Sequence, residues 1–131
     1  VEGRAVGAIG KGYAILLGVG HGDTEAEAER LWRKIAKMRV FEDAQGKTNL
    51  SLADVGGEVL VVSQFTLYAN CRKGNRPSFA DPAIARRLYE YFADLARNDG
   101  FTVATGEFGA MMAVSLVNHG PFTVMLDTEA L

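Results

Sequence analysis

The chain has 131 residues, 48% of them hydrophobic and 23% charged, with a formal net charge of −2. That length fits one domain whose core needs no disulfide or metal staple. The slight acidity argues against a broad nucleic-acid-binding face, so any RNA contact must come from a local patch, and no DNA partner is expected. Cys71 is the single cysteine, which excludes an internal disulfide, and one cysteine with two histidines makes a poor zinc set. No apolar run reaches the roughly 18 residues of a membrane span, and no signal peptide is visible. A cytoplasmic protein without a membrane partner is the expectation.

Arg4 to Ile9 and Tyr13 to Val19 read as strands, joined into a hairpin by Gly10-Lys11-Gly12. The second is continuously apolar, as in a strand covered on both faces. Thr24, with Glu27 three residues on, forms a capping box, and Leu31, Ile35 and Met38 share a stripe. A helix from about Glu25 to Val40 is predicted. The polar, turn-rich stretch from Phe41 to Gly57 reads as a long loop, and Glu58 to Leu67 as the strongest strand. A second loop leads to Asp81 and Pro82, a cap and a first-turn proline. The stripe Ile84, Leu88, Tyr91, Phe92, Leu95 then marks a helix ending near Asn98, with Gly100 as terminator. Phe101 to Ala104, Met111 to Val117 and Phe122 to Leu126 read as short strands. The order ββαβαβββ predicts an α+β fold: one domain over residues 1–131, with a mixed or antiparallel sheet and two covering helices.

Several segments could carry chemistry. Gly18-Val19-Gly20-His21-Gly22 lies between a strand and a helix, like a dinucleotide-binding turn. Asp23 stands where the pattern needs glycine, however, and would repel a pyrophosphate. A tight strand-to-helix turn is the simpler reading. His21 and His119 read as solvent-facing loop histidines, although His119 beside Gly120-Pro121 could serve as a base. No serine sits in a G-x-S-x-G elbow. Arg72, Lys73 and Arg76 cluster in a glycine-containing loop with Tyr68 and Phe79 nearby. Cations with aromatics suit single-stranded nucleic acid, and a solvated surface loop is the alternative. Ser63-Gln64-Phe65-Thr66 closes the strongest strand, where a chain opening into a loop often forms a site. Its backbone N–H groups near Gln64 and Phe65 could stabilise an oxyanion. Gly120-Pro121 interrupts an apolar stretch; by pattern alone it is a strand-breaking turn.

Taken together, SQFTLYANCRKGNRPSF (63–79), TGEFGAMMAVSLVNHGPFT (105–123), FEDAQGKTNLSL (41–52) and the early VEGRAVGAIGKG resemble the D-aminoacyl-tRNA deacylase family over nearly the whole chain. The resemblance implies a homodimeric, partly barrel-like enzyme without a cofactor, acting in chiral proofreading. It would hydrolyse the ester between a D-amino acid and tRNA, and glycyl-tRNA as well. It places Gln64, Phe65 and Thr66 at the catalytic centre, and Ser63, Gly120, Pro121 and Thr123 around the substrate. Arg72, Lys73, Arg76 and Phe79 would meet the tRNA. It further implies a cis bond between Gly120 and Pro121, a dipeptide that one subunit inserts into the other's site, and a further strand before Val1. Phe122 departs from the family pattern, in which a smaller apolar residue such as valine is usual. Two other readings stay open at this point: a non-catalytic RNA-binding or interaction module, and a paralogue with relaxed chiral choice.

Overall fold

The computed structural model describes every residue except 69–71, 73–74, 76–80 and 121. Its centre is a sheet of three parallel strands in the order β1 (Gly12–Leu17), β4 (Glu58–Ser63), β5 (Val103–Thr105). β1 runs beside β4 with Tyr13 opposite Val59 and Leu17 opposite Ser63; β5 follows on the far side with Val61 opposite Thr105. Parallel neighbours need a crossover. Here it is supplied by α1 (Glu25–Lys37) between β1 and β4, and by α2 (Pro82–Asn98) between β4 and β5.

Both helices begin where the sequence says. Thr24 accepts from the Ala26 amide at 3.3 Å, and Glu27 answers by accepting from the Thr24 amide at 2.6 Å. Asp81 caps α2 through the Ala83 amide at 2.9 Å, and Gly100, at φ +90°, turns the chain out of it. α1 stops three residues short of the expected Val40, because Met38 swings to ψ 138°. On α2 the buried face is Ala85, Leu88, Tyr89, Phe92, Ala93 and Ala96, while Ile84 is 42% exposed. The stripe was therefore placed a little off, and Tyr89 was missed. Trp32 of α1 locks the helices together. Its indole N–H donates to Asp99 at 2.7 Å and its ring meets Phe92 edge-on at 5.8 Å. With Leu17, Ile35, Leu52, Val59, Val61, Tyr89 and Ala96 they form the core.

Three expectations are corrected. Residues 4–9 form no strand and no hairpin with β1; they cross the sheet so closely that a Cβ on Gly7 would stand 2.4 Å from the Thr105 carbonyl oxygen. The sheet containing β1 is parallel and open, and antiparallel pairing is confined to β2 (Phe41–Glu42) with β3 (Thr48–Leu50), inside the expected loop. Asp43 makes that turn by accepting from the Gln45 and Lys47 amides at 2.9 and 3.0 Å, with Gly46 at φ +77°. Finally, residues 111–117 and 122–126 carry no strand assignment. A strand is defined by a hydrogen-bonded neighbour, and an apolar alternation alone does not supply one. β1 also has only one covered face. Leu17 is buried toward the helices, and Leu16 points the other way, 51% exposed.

Candidate active site

The strand predicted over 58–67 ends earlier, at Ser63, and its end carries the first group of candidate site residues. After Ser63 the Gln64 amide makes one last ladder-like bond to the Leu17 carbonyl at 2.8 Å. The chain then coils into a 3-10 turn, Phe65–Tyr68, closed by the Leu67 amide donating to the Gln64 carbonyl at 3.2 Å. β-branched valines suit the pleated strand; the polar pair Ser63-Gln64 ends the apolar run and lets the chain leave the sheet. Within the turn the Gln64 side-chain amide donates to the Thr66 hydroxyl at 2.5 Å. Phe65 is 47% exposed and stands on the surface beside them. The Gln64 amide was expected among the oxyanion donors. It donates to the Leu17 carbonyl instead.

The second group sits in the loop 118–123. Asn118 spans it: its side-chain N–H donates to the Thr123 hydroxyl at 2.7 Å, and its carbonyl oxygen accepts from the Phe122 amide at 3.3 Å. Gly120 between them has φ +127°, and a Cβ there would lie 3.2 Å from the Phe122 nitrogen, so the position favours glycine. Sequence reading named Gly120 and Thr123 but missed Asn118. The signal was available, since an asparagine two residues before Gly-Pro is a common side-chain-to-backbone turn former. Pro121, and with it the geometry of the 120–121 bond, lies outside the described residues.

Gln64 is tied to Thr66 and to Leu17 by hydrogen bonds in the stretch 63–66, and Thr123 is tied to Asn118 in the loop that holds Gly120. Of the expected tRNA contacts, Arg72 is exposed in a bend; Lys73, Arg76 and Phe79 lie outside the described residues. His21 and His119 are exposed in loops. The glycine turn before α1 is a tight turn, closed by Asp23 accepting from the Gly20 amide at 2.7 Å. An open cleft of about 470 Å³ lies between residues 1–5 and 111–113, and another of about 410 Å³ between α2 and residues 105–108; of the expected site residues, neither cleft is lined by any. Among the described residues no group of three or more histidine, cysteine, aspartate or glutamate side chains could hold a metal ion. Among the described residues no helix is long and apolar enough to cross a membrane.

Comparison with known proteins gives this arrangement its context. Residues 1–127 match the family described as D-Tyr-tRNA(Tyr) deacylase. The chain belongs to that family. It is 58% identical to a D-aminoacyl-tRNA deacylase of Lacticaseibacillus casei (strain BL23), over 99% of this chain and 90% of the relative. It is equally 58% identical to a D-aminoacyl-tRNA deacylase of Roseiflexus castenholzii (strain DSM 13941 / HLO8), over 98% of this chain and 83% of the relative. A solved structure titled c-Myc DNA Unwinding Element Binding Protein superposes with a TM-score of 0.81 at 39% identity, covering 91% of this chain and 83% of that one. The deacylase family is thus supported by sequence, and the fold is shared with a protein whose title names a DNA element.

Proposed function

We propose that this chain is a D-aminoacyl-tRNA deacylase, a hydrolase that cleaves the ester joining a D-amino acid to tRNA and so removes wrong-handed residues before translation uses them. The observation that carries this reading is the family match over residues 1–127, in a chain whose Gln64–Thr66 turn and Asn118–Thr123 loop are both held by their own side chains. Water adds to the ester carbonyl carbon, and the carbonyl oxygen takes up negative charge. The C–O bond to the terminal ribose then breaks, the ribose oxygen takes a proton, and free D-amino acid and tRNA leave. We assign the oxyanion to the amide of Thr66, which precedes the first bond of the 3-10 turn, with Gln64 fixing the Thr66 side chain and the Phe65 ring walling the site. Water activation is assigned to the 2′-hydroxyl of the tRNA's terminal ribose; the rival in which Thr66 or Thr123 attacks as a covalent nucleophile has no adjacent base in sequence to activate either hydroxyl.

Handedness is assigned to main chain. A side-chain pocket that tolerates many amino acids discriminates poorly, whereas a rigid backbone can exclude one hand whatever the side chain is. Discrimination of ten-thousand-fold corresponds to about 5.5 kcal/mol, within reach of a steric clash with unyielding backbone. Gly120 and Pro121 would present that surface, with Ser63 and Thr123 flanking the amino acid. Glycine has no side chain to exclude, so glycyl-tRNA is a second substrate. The Arg72, Lys73, Arg76 and Phe79 loop would take the terminal adenosine and its phosphates.

The reading joins the two site groups through a homodimer in which the partner's 120–121 loop completes the site. Exposure supports it. Met111 is 93%, Val117 81% and Met125 86% exposed, an apolar segment with no strand assignment. In the dimer these residues would find strand neighbours and close the open sheet toward a barrel. The enzyme would work in the cytoplasm, where charged tRNA is.

The test is single-turnover hydrolysis of matched D- and L-tyrosyl-tRNA, with glycyl-tRNA alongside. Fast release of D-tyrosine and of glycine, with the L-ester spared by three or more orders of magnitude, is the expected result. Equal rates for both hands would point to a relaxed paralogue. Binding of tRNA without hydrolysis would point to the non-catalytic module.

A further inference from the structure

The glycines of the Gly18-Val19-Gly20 turn take no part in the chemistry proposed above, yet they are tightly placed. A Cβ on Gly18 would stand 3.0 Å from Tyr68 Cδ2 and 3.1 Å from Cε2. A Cβ on Gly20 would stand 3.2 Å from Tyr68 Cε1 and 3.3 Å from Cδ1. Opposite edges of one ring thus lie over two glycines, which means the Tyr68 ring spans the turn. Leu67 joins it, with its Cβ 3.0 Å from the position a Gly18 side chain would take.

The seat itself is fixed. Val19, between the glycines, is buried against Ala85 and Leu88 of α2, and Asp23 closes the turn through the Gly20 amide. The turn that bears Thr66 is then held at both ends: at Gln64 by the bond to Leu17, and at Leu67 and Tyr68 by the glycine seat. Phe65 and Thr66 lie between these anchors. Burial first, and after it the negative charges of Asp127, Asp23 and Glu129, hold the phenol's pKa above the ordinary value, so it stays neutral.

We propose that Tyr68 is a positioning residue of the deacylase, its ring clamped on the Gly18-Val19-Gly20 seat so that the Thr66 amide is held in register with the reacting carbonyl. The assignment rests on the deacylase reading above. It also gives the glycine turn a purpose that a nucleotide-binding role does not: small residues make room for a ring from the chain's own active-site turn. One face of Tyr68 is spent on the protein, which removes it as a two-faced stacking platform for a base.

Positioning predicts a particular kinetic signature. Tyr68→Ala frees the turn and should lower kcat for D-tyrosyl-tRNA by about tenfold to a hundredfold, with KM within about twofold. Tyr68→Phe keeps the ring and should restore kcat to within about threefold of the parent. Gly18→Ala crowds the ring and Leu67, which must give by a few tenths of an ångström, and should lower kcat in the same direction without altering the Tyr68 side chain itself. Amide hydrogen exchange read over residues 64–68 reports the geometry without activity: faster exchange in Tyr68→Ala and Gly18→Ala, parental exchange in Tyr68→Phe. A rise in KM at constant kcat would overturn the proposal in favour of substrate stacking, and unchanged exchange in both disruptive variants would overturn it outright. A parent chain that folds but does not cleave the D-ester would sink the deacylase reading and this role with it, whereas an active parent with insensitive variants sinks the Tyr68 role alone.

Discussion

Asn118 shows how much one side chain can organise. Its two hydrogen bonds reach over Gly120 to the Thr123 hydroxyl and the Phe122 amide, so Thr123 is engaged in holding its own loop. Each such bond is worth about 0.5–1.5 kcal/mol net, which is a small stability effect but a large one on the backbone surface proposed to exclude one hand of substrate. Asn118→Ala should therefore lower turnover of D-tyrosyl-tRNA by about tenfold, and Thr123→Val should do the same. Because Asn118→Ala already removes the shared bond, the double variant should be no worse than Asn118→Ala alone; additive losses, measured by the same deacylation assay, would separate Thr123 from Asn118. At this scale the sequence was legible for Gly120, whose positive φ favours a glycine, and it carried a turn-forming signal at Asn118 whose two partners only the closed loop reveals.

Among elements, α1 is the most local in its logic. Thr24 and Glu27 bond reciprocally, and bonding to Thr24 holds the Glu27 carboxyl below its ordinary pKa. Thr24→Ala should cost about 0.5–2 kcal/mol, read as a fall in the thermal midpoint. The pH dependence has a definite sign. A carboxyl whose folded pKa is depressed favours folding above its unfolded pKa, and that contribution fades as pH falls through the lowered folded value. The difference in midpoint between the parent and Glu27→Gln should shrink as pH drops below the ordinary glutamate range; a constant difference across that range would show that the carboxylate's charge is not what matters. Helix starts were readable because capping and amphipathic spacing involve residues within one or two turns. The stripe on α2 was read less well: Tyr89 is buried because its hydroxyl donates to the Val61 carbonyl at 3.2 Å, a partner on another element.

For the molecule as a whole, the exposed apolar segment is the feature to test. Leu116 is 60% exposed and Val117 81%, immediately before the Asn118 loop, on a chain whose net charge is only −2. A dimer that buries this segment should dissociate when a charge is placed in it. Leu116→Asp should shift the species seen by analytical ultracentrifugation from dimer to monomer and abolish deacylation, with α1 and α2 helicity retained by circular dichroism. A parent that sediments as a monomer with full activity would refute the shared site. The same segment explains why the fold was only partly legible: alternating apolar residues announced strands at 111–117 and 122–126, but the pattern does not say whether a hydrogen-bonded neighbour is there to pair with them.

The sequence by itself determined the helix starts, the strong central strand, the glycine positions and the family motifs, because each depends on residues close along the chain or on a short ordered pattern. Only the tertiary structure decided that β1 pairs parallel with β4, that the strand ends at Ser63 and coils into a 3-10 turn, and that Gly18 and Gly20 seat Tyr68. Those outcomes depend on contacts between segments far apart in sequence. Their energies are set by packing and by which hydrogen-bond partners the folded chain brings near, and no local pattern carries that information.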